Sequence, residues 1–219
     1  MKKIGTVYSI VDNNQPMKKS AILNTVYENY GYVLTVYSMA ERTTISPERL
    51  THPTIYFVLE GDLHIDSKEV TMTPEEAEVH ILQYIYRPAN SLWGFHTEKD
   101  CVFTELILLS TSEIDRSLIQ NRKGIFTGYI SFKQHDSYVK QFVNDIHLKA
   151  DIISMDCNTS FDMVEKGAVL LTCLEGNGEI IYKGKQMPFG TLQSFEVPSD
   201  EHLTITTEGR MKLLRIVYL

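Results

Sequence analysis

Short apolar segments rich in Val, Ile, Tyr, Phe and Thr recur along the whole chain, and residues typical of turns separate them. Runs of this kind predict β-strands, and many short strands with turns between them predict a sandwich or a barrel. The clearest examples are YGYVLTVYSM (30–39), TIYFVLEGDLHI (54–65), VHILQYIYRP (79–88), CVFTELILL (101–109), GEIIYKG (178–184), LQSFEVP (192–198) and MKLLRIVYL (211–219). The pattern therefore predicts an all-β protein.

Helical patterns are confined to three segments. Residues 110–124 carry Ser110 and Glu113 in capping-box spacing and predict a short helix. Residues 135–149 place four apolar residues on one helical face and predict a second helix. The stretch TPEEAE at 73–78 predicts a single helical turn, because it combines capping-box spacing with a proline at the first helical position.

The sequence Leu-Glu-Gly occurs twice, each time after an apolar run and before a second predicted strand. Its glycines are Gly61 and Gly176, and a proline follows each copy at a similar distance, at Pro88 and Pro198. The first copy is longer by about five residues, which matches the acidic stretch TPEEAE. Each copy ends in a strand of matching apolar pattern. The echo therefore predicts an internal repeat of two similar barrels.

These segments resemble a known family. The stretches YFVLEGDLHI and YRPANSLWGFH, and later LTCLEGNGEIIYKGKQMPFGTLQSFEVP, are similar to the two halves of a cupin motif, present twice. The resemblance covers residues 36–109 and 152–219 and implies tandem double-stranded β-helix, or jelly-roll, barrels. The predicted organisation is an N-terminal barrel at 1–110, a connector with short helices at 111–150, and a C-terminal barrel at 151–219.

The family's metal ligands do not carry over. A metal-binding cupin holds a divalent metal with three histidines and a glutamate at set distances from the turn glycine and the later proline. In the first copy these positions hold Glu48, Leu50, Thr54 and Trp93, and in the second they hold Met163, Glu165, Val169 and Leu203. The resemblance therefore implies the fold without its ligand set, and no cofactor is expected.

Two histidines lie close to the lost ligand positions of the first copy. If the protein holds a divalent metal, its expected ligands are His52 and His96, joined by His80 or Glu105. The other interpretation places all three histidines in loops and strand edges, because a cluster counts as a site only when its members converge.

The expected ligand site of the first barrel consists of Thr54, Tyr56 and Trp93. Strand alternation sends Thr54 and Tyr56 to the same face, and an indole with a phenol suits a small organic ligand or a sugar ring. The alternative is that the rings fill the barrel, as in many small barrels. In the second barrel, inward-facing Leu171 and Cys173 predict an apolar, packed interior.

Composition and charge exclude several functional classes. A formal net charge of −7 and the absence of a Lys/Arg cluster argue against direct nucleic-acid binding. No segment has the pattern of a signal peptide or a membrane span, which predicts a cytoplasmic protein. The three cysteines lack metal-site spacing and are expected to be buried thiols.

Three functional hypotheses remain. The favoured one is a non-catalytic bicupin that binds a small organic molecule in its first barrel, as a metabolic sensor or regulator. The alternative is a metal-dependent cupin enzyme, of the sugar isomerase or oxygenase type, with a rearranged site at His52 and His96. The third is the effector-sensing part of a transcription regulator that acts through a partner. A homodimer is expected in each case, because exposed sheet edges need cover.

Overall fold

The computed structural model describes residues 5–9, 22–29, 32–67, 69, 72–81, 83–109, 123–125, 132–134, 137–144 and 148–218. These residues form two compact units. The N-terminal barrel contains residues 22–109 with 123–125, and the C-terminal barrel contains residues 5–9 with the described residues from 132 to 218. In the described part of the chain no helix is both long and apolar enough to cross a membrane.

Nearly every element is a β-strand. The first half contains β1 (Tyr8–Ser9), β2 (Ile22–Asn29), β3 (Tyr32–Met39), β4 (Thr44–Arg49), β5 (Thr54–Glu60), β6 (Asp62–Ser67), α1 (Pro74–Ala77), β7 (Glu78–His80), β8 (Gln83–Arg87), β9 (Leu92–His96) and β10 (Cys101–Leu108). The second half contains β11 (Lys123–Ile125), β12 (Phe132–Gln134), β13 (Ser137–Asn144), β14 (Leu148–Met155), β15 (Thr159–Val164), β16 (Ala168–Glu175), β17 (Asn177–Tyr182), β18 (Lys185–Gly190), β19 (Gln193–Val197), β20 (His202–Thr207) and β21 (Met211–Tyr218).

Each barrel consists of one large and one small antiparallel sheet. The N-terminal barrel has the strand orders β11-β8-β5-β10-β3-β2 and β4-β9-β6-β7. The C-terminal barrel has β1-β19-β16-β21-β14-β13-β12 and β15-β20-β17-β18. The two orders correspond strand for strand, apart from the extra β12 at one edge. This correspondence confirms the prediction of an all-β protein with two jelly-roll barrels.

The two barrels also share the geometry of the turn at the Leu-Glu-Gly sequence. Gly61 and Gly176 both have positive φ, +72° and +91°, and a Cβ on either would lie 2.2 Å from a backbone carbonyl oxygen. Only glycine fits such a position without strain. Beyond each later proline, Asn90 and Asp200 also have positive φ. Their N–H groups donate to carbonyl oxygens 2.7 Å away. The Leu-Glu-Gly echo therefore marks one tight turn, used twice.

The helical predictions have three different outcomes. The turn at 73–78 is confirmed, because α1 begins after Thr73 with the complete capping box formed by Thr73 and Glu76. The helix at 135–149 is wrong, because this segment forms β13 and the start of β14. A β-bulge between Gln141 and Val143 explains the error, since one extra residue breaks the alternation of the strand. The helix predicted at 110–124 falls mostly outside the described residues.

Inward-facing side chains of both sheets form the core of each barrel. The N-terminal core consists of Met39, Tyr56, Val58, Leu63, Ile65, Val79, Ile85, Trp93, Phe95, Cys101 and Phe103. The C-terminal core includes Leu171, Cys173, Phe195 and Leu213. Burial raises the pKa of the thiols of Cys101 and Cys173 to about 12, so both behave as apolar side chains. Cys157 is exposed, contrary to the expectation that all three thiols are buried.

Candidate ligand site in the N-terminal barrel

Four polar side chains converge inside the N-terminal barrel. The ladder between β5 and β10 places Glu105 opposite Tyr56, and the ladder between β5 and β8 places Arg87 opposite Thr54. Tyr37 on β3 lies opposite Phe103 on β10. Residues opposite each other in a ladder share a face, so four neighbouring strands, β8, β5, β10 and β3, bring a guanidinium, a carboxylate and two phenols together.

Hydrogen bonds connect these four groups in series. The Tyr56 hydroxyl donates to Oε1 of Glu105 over 2.9 Å, and the Tyr37 hydroxyl donates to Oε2 of the same carboxylate over 3.1 Å. Nη1 of Arg87 donates to the Tyr56 hydroxyl oxygen over 2.9 Å. The phenol of Tyr56 therefore lies between the guanidinium and the carboxylate, which do not pair directly in this network.

Backbone oxygens anchor the rest of the guanidinium. Nη2 of Arg87 donates to the carbonyl of Ser91 over 2.8 Å and to that of Glu48 over 2.5 Å. Nε of Arg87 has no hydrogen-bond partner among the described residues, and neither does the indole Nε1 of Trp93. The Arg87 guanidinium carbon lies 6.0 Å from the Trp93 ring centroid. Two buried N–H donors therefore lie in the same part of the barrel interior without acceptors.

Aromatic rings surround this network on its apolar side. The Tyr56 ring stacks with Trp93 at a centroid distance of 6.4 Å and meets Phe95 and Phe103 at 4.8 and 6.2 Å. Tyr37 stacks on Phe103 at 4.7 Å, nearly parallel. Rings at these separations attract one another through offset and tilted contacts. They hold the phenols in place and exclude water from the carboxylate.

Burial sets the electrostatics of the site. It raises the pKa of Glu105 above its usual value, and the hydrogen bonds from Tyr56 and Tyr37 oppose this effect. Burial, together with the nearby Glu105 charge, also raises the pKa of both phenols, so they remain donors at neutral pH. Protonation of Glu105 would leave Arg87 as an uncompensated buried cation, which favours an anion nearby.

The interior is closed to solvent except at one side chain of the network. Tyr56, Trp93 and Arg87 have no exposed surface, and Glu105 is 4% exposed. Tyr37 is only half-buried. Its ring covers Phe103 and its hydroxyl reaches the carboxylate, so it separates the network from solvent. A molecule that entered by this path would have to displace Tyr37.

The structure brings together two of the three predicted ligand-binding residues. Tyr56 and Trp93 stack in the core, as their inward positions predicted. Thr54 is fully buried, and its hydroxyl donates to the carbonyl of His52 over 3.2 Å instead of joining the network. The arrangement also shows that the rings fill much of the barrel, which was the alternative expectation.

The charged members of the network, Arg87 and Glu105, were not predicted from the sequence as ligand-binding residues. A single signal was available for each of them. Glu105 is the only charged residue in the apolar stretch CVFTELILL, and alternation places it on the same face as Phe103. Arg87 follows Ile85 by two residues and therefore faces inward with it. A lone charge in an inward register predicts a buried polar site that needs partners.

The two histidines proposed as metal ligands are not brought together. His96 lies at the end of β9, where it faces outward and its Nδ1 is 2.9 Å from Asp66. His52 lies in the loop after β4, near the opposite end of β9, and its Nδ1 is 2.9 Å from the Thr51 hydroxyl. The length of β9 separates these ends by about 13 Å at 3.3 Å per residue. One metal ion would not reach both.

The residues at the family's ligand positions do not fit its metal site either. Glu48 lies opposite Trp93 in the small sheet, and Thr54 lies opposite Arg87 in the large one. Of the four positions only Glu48 carries an ionic donor, and it is exposed. Arg87 adds a positive charge to the interior, which disfavours a cation there.

The interior of the C-terminal barrel is not wholly apolar, contrary to expectation. Arg215 lies opposite Leu171 and faces the same interior. It binds Asp151 through two hydrogen bonds of 2.9 and 2.7 Å, and its Nη1 donates to Glu165 over 2.8 Å. Leu171 and Cys173 are buried in the core as predicted. The charged triad of Arg215, Asp151 and Glu165 was not predicted from the sequence.

The sequence and the structure were compared with those of known proteins. No protein-family profile matches the sequence, and no curated protein matches it. A cupin 2 conserved barrel domain protein from Leptotrichia buccalis is similar in structure, with a TM-score of 0.75, 13% identity and coverage of 100% of this chain and 98% of that one. AerE from Microcystis aeruginosa is similar with a TM-score of 0.65 and 14% identity, over 93% of this chain and 94% of that one. Oxalate decarboxylase from Bacillus subtilis is similar with a TM-score of 0.65 and 8% identity, over 100% of this chain and 78% of that one.

These likenesses define the fold. The chain has the fold of the cupin superfamily. Its own strand order shows that it carries this fold twice. At such low identities the likeness concerns the fold alone, and the function has to be argued from the interior of the barrels.

Proposed function

We propose that the protein is a binding or sensing bicupin whose N-terminal barrel takes up a small organic molecule carrying a carboxylate or several hydroxyl groups. The site consists of Tyr56 and Trp93, with Thr54 at its edge, extended by Arg87 and Glu105. Sugars and sugar acids are the favoured class, because they combine acceptors for the buried donors with faces that stack on aromatic rings.

The observation that carries the proposal is a pair of buried donors, Nε of Arg87 and Nε1 of Trp93, that have no acceptor within the described part of the chain. A buried donor left unpaired costs about 1–3 kcal/mol. Folded proteins rarely tolerate such a cost without a reason. A ligand oxygen that accepts from both groups would recover it. The corresponding positions of the other barrel, Val197 and Leu203, carry no donors.

The arrangement favours binding over catalysis. Residues able to transfer a proton near neutral pH would need a path to a reacting atom, and the phenols here are held as donors by their raised pKa. Glu105 accepts from both phenols and orients them. Its role in the proposal is to fix the donors that a ligand contacts. Entry requires displacement of Tyr37, which couples ligand uptake to a local change at the surface.

A ligand screen with one conservative variant tests this proposal. Sugars, sugar acids and small carboxylic acids are screened by thermal shift, and the Kd of any hit is measured by calorimetry. Trp93→Phe keeps an aromatic ring but removes the Nε1 donor, so we expect a loss of affinity of about tenfold or more. Tyr182→Phe, at a buried ring of the C-terminal barrel, is the matched control and should leave the Kd unchanged.

Two results would contradict the proposal. One is equal affinity in the wild type and Trp93→Phe, which would place the ligand elsewhere. The other is binding that disappears on treatment with a chelator and returns with a divalent metal. That second result would favour the alternative hypothesis of a metal-dependent cupin enzyme.

A further inference from the structure

Histidine and carboxylate side chains gather on the outer face of the small sheet of the N-terminal barrel. Leu63, Ile65 and Val79 face the core, so their neighbours along β6 and β7 face outward. The ladder between the two strands places Asp62 opposite His80 and His64 opposite Glu78. Four potential metal ligands therefore lie on the same face of one ladder, in the two pairs on either side of the inward-facing pair of Leu63 and Val79.

Three of these ligand atoms lie within reach of a common ion. One atom each from Asp62, Glu78 and His80 lie within 4.8 Å of one another. Nδ1 of His80 is 2.7 Å from Oδ1 of Asp62, and Nε2 of His64 is 3.8 Å from Oε1 of Glu78. Two donors bound at about 2.0–2.1 Å to a tetrahedral ion lie about 3.3–3.4 Å apart. The ligand atoms of Asp62, Glu78 and His80 would reach this spacing with small movements of exposed side chains.

We propose that Asp62, Glu78 and His80 form a binding site for a divalent transition metal ion such as Zn²⁺. Imidazole nitrogen with carboxylate oxygen is a ligand set that suits zinc, whereas calcium and magnesium prefer oxygen alone. The site lies on the outside of the barrel, on the opposite face of the sheet from the interior network. It therefore does not depend on the proposed function.

The surrounding contacts hold the ligands in position. The ring of His64 stacks on that of His96 at 4.8 Å, and His96 in turn contacts Asp66 at 2.9 Å. The backbone N–H of His80 donates to Oε1 of Gln83 over 3.0 Å, which holds the main chain at the end of β7. The side chains at the site are 25–47% exposed, which leaves a path for the ion.

The corresponding positions of the C-terminal barrel provide an internal comparison. There Asn177 lies opposite Gly190 and Glu179 lies opposite Pro188. Only one of these four residues carries an ionic ligand. The cluster therefore does not follow from the fold itself and is specific to the N-terminal barrel. An ion there would join the two strands that flank α1.

Calorimetry with Zn²⁺ alone tests the site. The full chain, without a polyhistidine tag and freed of metal by a chelator, should bind one Zn²⁺ with a micromolar or lower Kd. His80→Ala should weaken binding at least tenfold, and Glu78→Gln should weaken it without changing the shape of the side chain. The matched control is His202→Ala, which removes an exposed histidine beside Asp162 in the C-terminal barrel and should leave the Kd unchanged.

Co²⁺ provides a second readout, since a tetrahedral site with nitrogen and oxygen ligands gives a visible absorption that His80→Ala should abolish. Circular dichroism should show an intact fold for all three variants, because the substituted side chains are exposed. Absence of stoichiometric Zn²⁺ binding would overturn the proposal. Equal affinity of the wild type and His80→Ala would also overturn it, since the ion would then bind other histidines.

Discussion

The two barrels place opposite charges at the same point of the same fold. Glu105 on β10 lies opposite Tyr56, and Arg215 on β21 lies opposite Leu171, at corresponding positions of the two ladders. In the C-terminal barrel the charge is fully paired, because Asp151 binds the guanidinium through both its oxygens and Glu165 accepts the remaining nitrogen. In the N-terminal barrel the guanidinium of Arg87 reaches Glu105 only through a phenol.

This difference separates structural polar groups from candidate functional ones. A buried ionic network in which every donor has an acceptor stabilises one arrangement and leaves nothing for a ligand to bind. A network with unpaired donors can still donate hydrogen bonds to a ligand, but the unpaired donors lower the stability of the fold. Both barrels bury charge, but only the N-terminal barrel leaves Nε of its arginine unpaired among the described residues.

The largest expected effect comes from breaking the paired triad. Arg215→Met removes the cation and leaves Asp151 and Glu165 as like charges, the first of them fully buried. Loss of one partner from a buried ion pair costs about 3–5 kcal/mol, so the free energy of unfolding in urea should fall by that amount. Lys212→Met is the control, because its pair with Glu175 is partly exposed and is worth about 1 kcal/mol or less. Similar losses in the two variants would contradict the structural role of the triad.

A smaller effect tests whether the equivalent turn glycines of the two barrels contribute similarly to the free energy of unfolding. Gly61→Ala and Gly176→Ala both place a Cβ 2.2 Å from a carbonyl oxygen at positive φ. Each should lower the free energy of unfolding by at least about 2 kcal/mol, since the left-handed conformation alone costs about 1–2 kcal/mol. Gly184→Ala has the same positive φ but open space around it, and should cost only about 1 kcal/mol. A cost at Gly61 no greater than at Gly184 would show that the turn can relax.

The fold could be predicted from the sequence because its strongest constraints are local. The turn glycines admit no other residue, and short apolar runs rich in β-branched and aromatic residues adjoin them. The segment after position 135 escaped the same reasoning because Val139, Phe142 and Val143 have helical spacing in the sequence, while the bulge between Gln141 and Val143 breaks the alternation of the strand. Local spacing alone does not distinguish the two structures.

The polar sites depend on pairings across the sheets, which no local pattern contains. Glu105 accepts hydrogen bonds from Tyr37 on β3 and Tyr56 on β5. In the other barrel, Arg215 on β21 donates to Asp151 on β14. Inward alternation indicates that each charge is buried, but not which partner receives it. The aromatic half of the candidate site could therefore be predicted, as Tyr56 and Trp93, whereas its charged half could not.

The smallest expected effect is the contribution of Glu105 to the dependence of stability on pH. Burial raises the pKa of Glu105, and the two phenols partly oppose this. A carboxyl with a raised folded-state pKa binds its proton more tightly in the folded protein. Its contribution to stability is therefore fully present below the unfolded-state pKa and is lost as pH rises through the folded-state value. Glu105→Gln should remove this dependence, so urea unfolding at pH 4, 5, 6 and 7 should show a smaller loss of stability with rising pH than the wild type. Glu175→Gln, at a half-exposed carboxyl of the C-terminal barrel, should keep the wild-type slope. A slope unchanged by Glu105→Gln would mean that the two phenols keep Glu105 charged at little cost, so its network would be as well compensated as the triad around Arg215, and the contrast between the barrels would disappear.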